Sequence, residues 1–154
     1  MREPYLQHFT ESEFVNENGN WWFMMSSRLL VMLDVLRFSH GRPIVISPNK
    51  FALGRRAGGS ESEHNIDFWK EVCAADVFVS EVYTRRQAES LIETAKSIGF
   101  TGIGVYTDTH NHKGTKQVMF HLGVRNTEKM GDPATWGRIK GDYVSMSQAL
   151  GALK

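Results

Sequence analysis

Two strand-like segments constrain this chain most, because each is apolar except for one ionisable residue near its centre. Ala74–Val79 carries Asp76, and Val118–Val124 carries His121. A carboxylate within an apolar strand is costly unless it is paired or bound to a cation, and a buried imidazole also needs a polar partner. Each segment therefore has to place its ionisable residue where another part of the chain can meet it.

His64 is a third ionisable residue to consider with these two. It follows a loop over residues 47–63 that is rich in glycine and charge. Long loops in compact domains are disproportionately functional. Two imidazoles and one carboxylate form a ligand set that hydrolytic zinc enzymes favour, because it holds the ion and leaves one position open. One metal ion is the simplest joint explanation of His64, Asp76 and His121. The alternative is that they are unrelated core residues of a small binding protein.

The spacing of apolar residues and the helix-capping signals predict an α+β fold. Apolar residues at helical spacing predict a helix from Ser26 to His40 that ends at Gly41, and a capping box at Thr84 opens another that ends at Gly99. A capping box at Thr10 predicts a short helix that contains Phe14. Short apolar or alternating runs predict four strands, at 44–46, 74–79, 100–106 and 118–124. A final helix is predicted at 145–153. We expect a single domain over residues 1–154, with a small, mostly antiparallel sheet flanked by helices.

Charge and cysteine content exclude several classes of protein. A net charge of +1 gives no case for nucleic-acid binding, which needs a concentrated basic face. Cys73 is the only cysteine, so one chain can form neither a disulfide nor a cysteine-based zinc cluster, and its apolar surroundings predict a buried, inert thiol. The N-terminus lacks the apolar core of a secretory signal, and no segment reaches the roughly 20 apolar residues of a membrane helix. We expect synthesis in a cytoplasm, with other factors carrying the protein to any substrate outside it.

Six stretches of the chain and one tryptophan match the order of motifs in one enzyme family. They are Phe9-Thr-Glu-Ser-Glu-Phe14, Gly41-Arg-Pro-Ile-Val-Ile-Ser47, Gly58-Gly-Ser-Glu-Ser-Glu-His64, Ala75-Asp76-Val77, and Gly102-Ile-Gly-Val-Tyr106 with Phe120-His-Leu-Gly-Val-Arg125 and Trp136. The chain thereby resembles the phage branch of the zinc D-alanyl-D-alanine carboxypeptidase family, which includes the L-alanyl-D-glutamate endolysins.

The resemblance implies a function and a set of zinc ligands. His64, Asp76 and His121 would be the ligands of Zn²⁺, in a Hedgehog and D-Ala-D-Ala peptidase-like fold. The substrate would be the peptidoglycan stem peptide, hydrolysed by a monomeric, phage-encoded metallopeptidase. Such an enzyme acts at the cell wall, either after release from the host cytoplasm or as part of a virion. The bond cut, whether D-Ala–D-Ala, L-Ala–D-Glu or a cross-link, stays open.

The chain departs from the family pattern at several positions. His64 and Asp76 are twelve residues apart, where seven is usual in the family. The arginine thought to meet the substrate carboxylate is replaced within Ser47-Pro-Asn-Lys50, so Lys50 or Arg55 would supply the positive charge. The aspartate two residues after the last ligand is Gly123.

The resemblance also leaves the identity of the general base open. The two positions that provide it in the family are Val118 and Lys116 here. The loop at 107–117 offers His112 as the first candidate and Asp108 as the second, unless it is only a solvated connection. The missing base and the altered arginine favour the alternative function, a catalytically weak or inactive module that binds cell wall or has a structural role in a virion.

Overall fold

The two long helices begin and end at the signals that the sequence provides. The computed structural model describes residues 6–125 and 131–154, so residues 1–5 of the N-terminal segment judged to lack a secretory signal lie outside it. Helix α1 (Ser27–His40) begins where the Ser26 hydroxyl accepts a hydrogen bond from the Leu29 N–H, and it ends at Gly41 with a φ of 72°. Helix α3 (Arg85–Ile98) begins at the Thr84 capping box and ends at Gly99 with a φ of 111°. Glycine adopts these left-handed angles without the steric cost that a Cβ brings.

The shorter elements complete the fold. The capping box at Thr10 starts a single 3-10 turn, Glu11–Phe14. Two further short helices are α2 (Ile66–Trp69) and α4 (Met146–Gly151). The strands are β1 (Val15–Asn16), β2 (Gly19–Asn20), β3 (Ile44–Ile46), β4 (Ala74–Val79), β5 (Gly102–Tyr106), β6 (Met119–Gly123), β7 (Ala134–Ile139) and β8 (Asp142–Val144).

Strands β3 to β8 form one sheet in the order β3-β4-β6-β5-β7-β8. All neighbouring pairs are antiparallel except β5 and β7, which run parallel. The prediction of an α+β fold with a mostly antiparallel sheet flanked by helices is confirmed. Strands β7 and β8 were not predicted, since no strand was assigned after Val124 and Trp136 was placed only in the tail.

The two faces of the central strands have different partners. On one face, side chains of the strands join the main hydrophobic cluster with residues of α1 and α3, among them Val77, Ile103, Phe120, Leu33 and Leu91. Full burial of one such side chain contributes about 1.5–3 kcal/mol. The opposite face carries Asp76 and His121, which are register partners on β4 and β6. Core packing thus holds the strands rigidly beneath the two ionisable residues.

Asp34 fixes the N-terminal segment to α1. Its carboxylate accepts hydrogen bonds from the backbone N–H groups of Gln7 (3.0 Å), His8 (2.8 Å) and Phe9 (3.1 Å), and Phe9 is buried. Replacing Asp34 with Ala is expected to lower the free energy of unfolding by about 1–3 kcal/mol, because these donors lose a charged acceptor. Urea denaturation measures the change. Asp34→Asn, which keeps one acceptor oxygen, should lose less, and an Asp34→Ala protein as stable as wild type would contradict the prediction.

Within the described residues, no helix has both the length and the apolar character needed to cross a membrane.

Candidate metal centre

The three predicted ligands meet at one point on the face of the sheet opposite the main hydrophobic cluster. The His64 Nε2 atom lies 3.2 Å from Asp76 Oδ1 and 3.1 Å from His121 Nδ1, and His121 Nδ1 lies 3.1 Å from Asp76 Oδ1. All three side chains are largely buried, with exposed fractions of 8%, 14% and 6% for His64, Asp76 and His121. The prediction that these residues come close enough to bind one metal ion is confirmed.

The spacing of the three atoms suits a small divalent ion. Ligands of a tetrahedral ion at about 2.0–2.1 Å are roughly 3.3–3.4 Å apart. The atoms of His64, Asp76 and His121 form a nearly equilateral triangle whose sides are only slightly shorter. These three atoms could therefore hold such an ion without a change in the strands, and a three-ligand set leaves one position for water.

Hydrogen bonds at the far side of each imidazole assign the protons. The Nδ1 atom of His64 lies within hydrogen-bond distance of the Leu53 carbonyl oxygen, which can only accept. The Nε2 atom of His121 lies 3.3 Å from Glu63 Oε1. With a proton on each of these outer nitrogens, both inner nitrogens present lone pairs to each other and to the Asp76 carboxylate. Three acceptors at this distance repel unless a proton or a metal ion lies among them.

The charges around the triangle favour a cation. Burial alone would raise the pKa of Asp76, but the charge of His64 and the hydrogen bond with His121 hold it well below its usual range. Burial alone would lower the pKa of His121, but hydrogen bonds with Asp76 and Glu63 raise it to about 9 in the absence of metal. The negative groups that retain a proton on His121 would equally attract a divalent ion, which displaces that proton on binding.

The loop that carries His64 is held by its own hydrogen bonds. The Arg55 N–H donates to the His64 carbonyl oxygen at 2.9 Å, and the Ile66 N–H donates to the Arg55 carbonyl oxygen at 3.0 Å. The fully buried Asn65 side chain donates to the carbonyl oxygens of Gly58 and Ser60 and accepts from the Ala57 N–H. Helix α2 follows directly. The interval between His64 and Asp76 thus contains one short helix and leads into β4, and it does not prevent the two ligands from meeting.

Glu63 is a residue of the site that sequence reasoning missed. Its side chain is 2% exposed and contacts His121 on the side away from Asp76. Burial would raise its pKa, but the hydrogen bond and charge of His121, with the charge of Arg125, lower it. The carboxylate occupies space that Gly102 and Gly123 leave open on neighbouring strands. The signal that could have pointed to it was Gly123, at a position where the resemblance implies an aspartate.

His64, Asp76 and His121, here called the triad, line a cleft of about 910 Å³. Beyond His121, the floor of this cleft is a small apolar cluster of Phe78, Tyr106, Met119 and Trp136. The rings of His121 and Trp136 lie 4.8 Å apart, and Trp136 Nε1 donates to the Tyr106 hydroxyl at 2.9 Å. Burial raises the pKa of Tyr106, so this phenol stays protonated. The site therefore combines a charged end with an apolar, aromatic floor.

The two cations predicted to bind substrate have different positions. Arg55 lines the cleft together with the triad, and its Nε atom is buried without a hydrogen-bond partner among the described residues. Lys50 is exposed, does not line the cleft, and has its ammonium 5.0 Å from the centre of the Phe51 ring. Arg55 is thus the better placed of the two to meet an anionic group beside the triad.

The two residues predicted as general base, Asp108 and His112, also differ in their position relative to the cleft. Asp108 lines the cleft, but its carboxylate accepts three hydrogen bonds of 2.9–3.0 Å from the Arg138 guanidinium and one of 2.6 Å from the Gly141 N–H. Burial would raise the pKa of Asp108, and these donors lower it. His112 is exposed and does not line the cleft, whereas His110, two residues earlier, does.

Cys73 does not take part in the site and should be unreactive. Burial, together with the nearby carboxylates of Glu71 and Glu63, raises the pKa of this thiol to about 12. Because the thiolate is the reactive form, alkylation by iodoacetamide at pH 8 should be at least about 100-fold slower in the native protein than in urea. The rate should keep rising with pH through the usual thiol range, where the rate for the unfolded protein levels off. Equal rates in the native and unfolded protein, measured by mass spectrometry, would contradict this prediction.

Comparisons with protein-family models, with curated proteins and with solved structures give no match. The likeness to zinc D-alanyl-D-alanine carboxypeptidases therefore depends on the motifs quoted above, and the Hedgehog-like architecture stays a prediction.

Proposed function

We propose that this protein is a zinc-dependent peptidase that hydrolyses an amide bond in the peptide part of peptidoglycan. The observation that carries the proposal is the convergence of His64 Nε2, His121 Nδ1 and Asp76 Oδ1 at the end of an open cleft. Two imidazoles and one carboxylate around a four-coordinate ion are typical of catalytic zinc. In such a site zinc activates water near neutral pH and polarises the scissile carbonyl.

Arg55 would orient the substrate. Stem peptides of the cell wall carry carboxylates, and a guanidinium binds a carboxylate through two parallel hydrogen bonds. Arg55 lines the cleft, and the absence of a hydrogen-bond partner for its Nε among the described residues supports this role, while the exposed position of Lys50 makes it the weaker candidate. The apolar floor beside Trp136 would receive the uncharged side chains of the peptide.

His110 is our choice of general base. It lies in the cleft wall, and an imidazole can take a proton from water and return it to the leaving amine near neutral pH. Asp108, the neighbouring carboxylate, is committed to Arg138 and Gly141. His112 lies on the same loop but outside the cleft wall.

The first test is the incubation of purified peptidoglycan with zinc-loaded protein, followed by an assay for new amino termini. We expect release by wild type and not by His121→Ala, and mass spectrometry of the fragments would identify the bond. Equal release by both proteins would contradict the proposal. So would a refolded wild-type protein that binds no zinc by elemental analysis.

The choice of base has a matched pair of variants. His110→Ala is expected to lower kcat by about 10²–10⁴-fold, the usual contribution of a general base, while keeping its zinc. His112→Ala changes the same type of residue on the same loop and should keep nearly full activity. The opposite result would assign the role to His112.

A second candidate function is cell-wall binding without cleavage, by a module that acts after release from the host cytoplasm or as part of a virion. The observation that favours it is the position of Asp108, whose charge Arg138 already neutralises, together with Lys116 and Val118 where the family provides a base. Such a protein would sediment with insoluble peptidoglycan and release no amino termini.

A further inference from the structure

We infer that Glu63 is a positioning residue, which holds the His121 ring so that Nδ1 points toward the metal site. This inference depends on the metal site proposed above and adds a residue to it. The Oε1 atom of Glu63 lies 3.3 Å from His121 Nε2, and Oε2 accepts a hydrogen bond from the Arg125 N–H at 3.3 Å. The carboxylate thus lies directly behind the ligand ring, on the side opposite Asp76 and His64.

Two glycines on neighbouring strands leave the space that this carboxylate occupies. Gly123 and Gly102 are register partners on β6 and β5, and Gly123 lies two residues after His121 on the same strand. A Cβ at Gly123 would lie 1.9 Å from Glu63 Oε2, and one at Gly102 would lie 2.3 Å from Oε1. The flanking register partners are Ala74 and Ala134. Small residues thus occupy four adjacent positions across the sheet, and the two glycines among them leave the space that the end of the Glu63 side chain fills.

Ion pairing with Arg125 alone does not account for this arrangement. The Arg125 Nε lies 3.8 Å from Glu63 Oε1, and the Arg125 side chain is 31% exposed, so it could bind a carboxylate at the surface. Taking a carboxylate fully out of water costs several kcal/mol unless its oxygens are well bonded. Burial of Glu63 therefore points to its inner partner, the imidazole of His121.

The contact decides which nitrogen of His121 binds the metal. A 180° rotation of the ring about the Cβ–Cγ bond would exchange Nδ1 with a carbon and move Nε2 away from Glu63. An acceptor behind Nε2 fixes both the ring orientation and the proton on Nε2, which leaves the lone pair on Nδ1. Partners of this kind are typically worth 10–100-fold in metal affinity.

The test combines zinc affinity with NMR of the histidine nitrogens. Glu63→Ala is expected to weaken zinc binding by 10–100-fold in a chelator competition. In the zinc-loaded, ¹⁵N-histidine protein, His121 should be ligated through Nδ1 and carry a slowly exchanging proton on Nε2. That proton should exchange rapidly in the variant. Glu63→Gln keeps the shape and one acceptor oxygen, so it should give an intermediate affinity and serves if Glu63→Ala does not fold.

Glu61→Ala is the matched control, because it removes an exposed carboxylate two residues away on the same loop. It should bind zinc as wild type does. Equal zinc affinity in Glu61→Ala, Glu63→Ala and Glu63→Gln, or ligation of His121 through Nε2 in wild type, would overturn the inference while leaving the zinc site intact. A wild-type protein that binds no zinc would instead overturn the proposed function.

Discussion

Replacing Asp76 with Asn should abolish the stabilisation of this protein by zinc. Binding to the folded state alone adds about 2.7 kcal/mol at a zinc concentration 100-fold above Kd. For a chain of 154 residues this corresponds to a rise in Tm of roughly 5–11 °C. Asn keeps the shape of Asp76 but removes the negative charge that faces His64 and His121. We therefore expect the zinc-dependent shift to fall to near zero in a thermal unfolding experiment.

Asp108→Asn is the control for this prediction. Asp108 is a second carboxylate in the same cleft, and its partner is Arg138 instead of the two histidines. This variant should have a lower Tm without zinc, yet keep the full shift when zinc is added. A zinc-dependent shift that survives in Asp76→Asn and is lost in Asp108→Asn would place the ion elsewhere in the cleft.

The elements that were predicted have local causes. The boundaries of α1 and α3 follow from Ser26, Thr84 and the two glycines that end them, and each signal acts within one helical turn. Strands β4 and β6 follow from short apolar runs that are long enough to need burial on one face. Such features are readable from a single sequence because residues a few positions apart determine them.

Strand β7 was missed because its structure depends on a distant partner. Residues Ala134–Ile139 contain Gly137 and lack a regular alternation of buried and exposed positions. The strand forms because its backbone pairs in parallel with β5, with Gly104 opposite Trp136. A parallel neighbour cannot be inferred from the segment itself, since it is joined through an intervening connection.

The ligands were predictable and their supporting residues were not, for a related reason. An ionisable residue in an apolar strand requires a partner wherever it lies, so Asp76 and His121 could be identified one at a time. Glu63 lies in a polar stretch of loop where a glutamate is ordinary. Its burial depends on the absence of side chains at Gly102 and Gly123, which are remote in sequence and adjacent only in the sheet.

Gly123→Ala tests this dependence and should destabilise the protein by about 2–5 kcal/mol. Overpacking a filled interior costs about 1–3 kcal/mol, and a displaced Glu63 carboxylate loses hydrogen bonds worth about 1–3 kcal/mol. Alanine is otherwise better than glycine within a strand by about 0.5–1 kcal/mol, so a loss cannot come from backbone propensity. Urea denaturation at neutral pH measures the difference in the free energy of unfolding.

Two further variants separate the clash from a general effect of substituting glycine. Gly59→Ala adds the same methyl group where nothing lies within 4 Å, and its unfolding free energy should match or slightly exceed that of wild type. Combining Gly123→Ala with Glu63→Ala removes the group that the methyl would strike, so much of the lost stability should return. If Gly123→Ala were as stable as Gly59→Ala, the carboxylate of Glu63 would not occupy the space behind His121, and the ring would have to be held by another group.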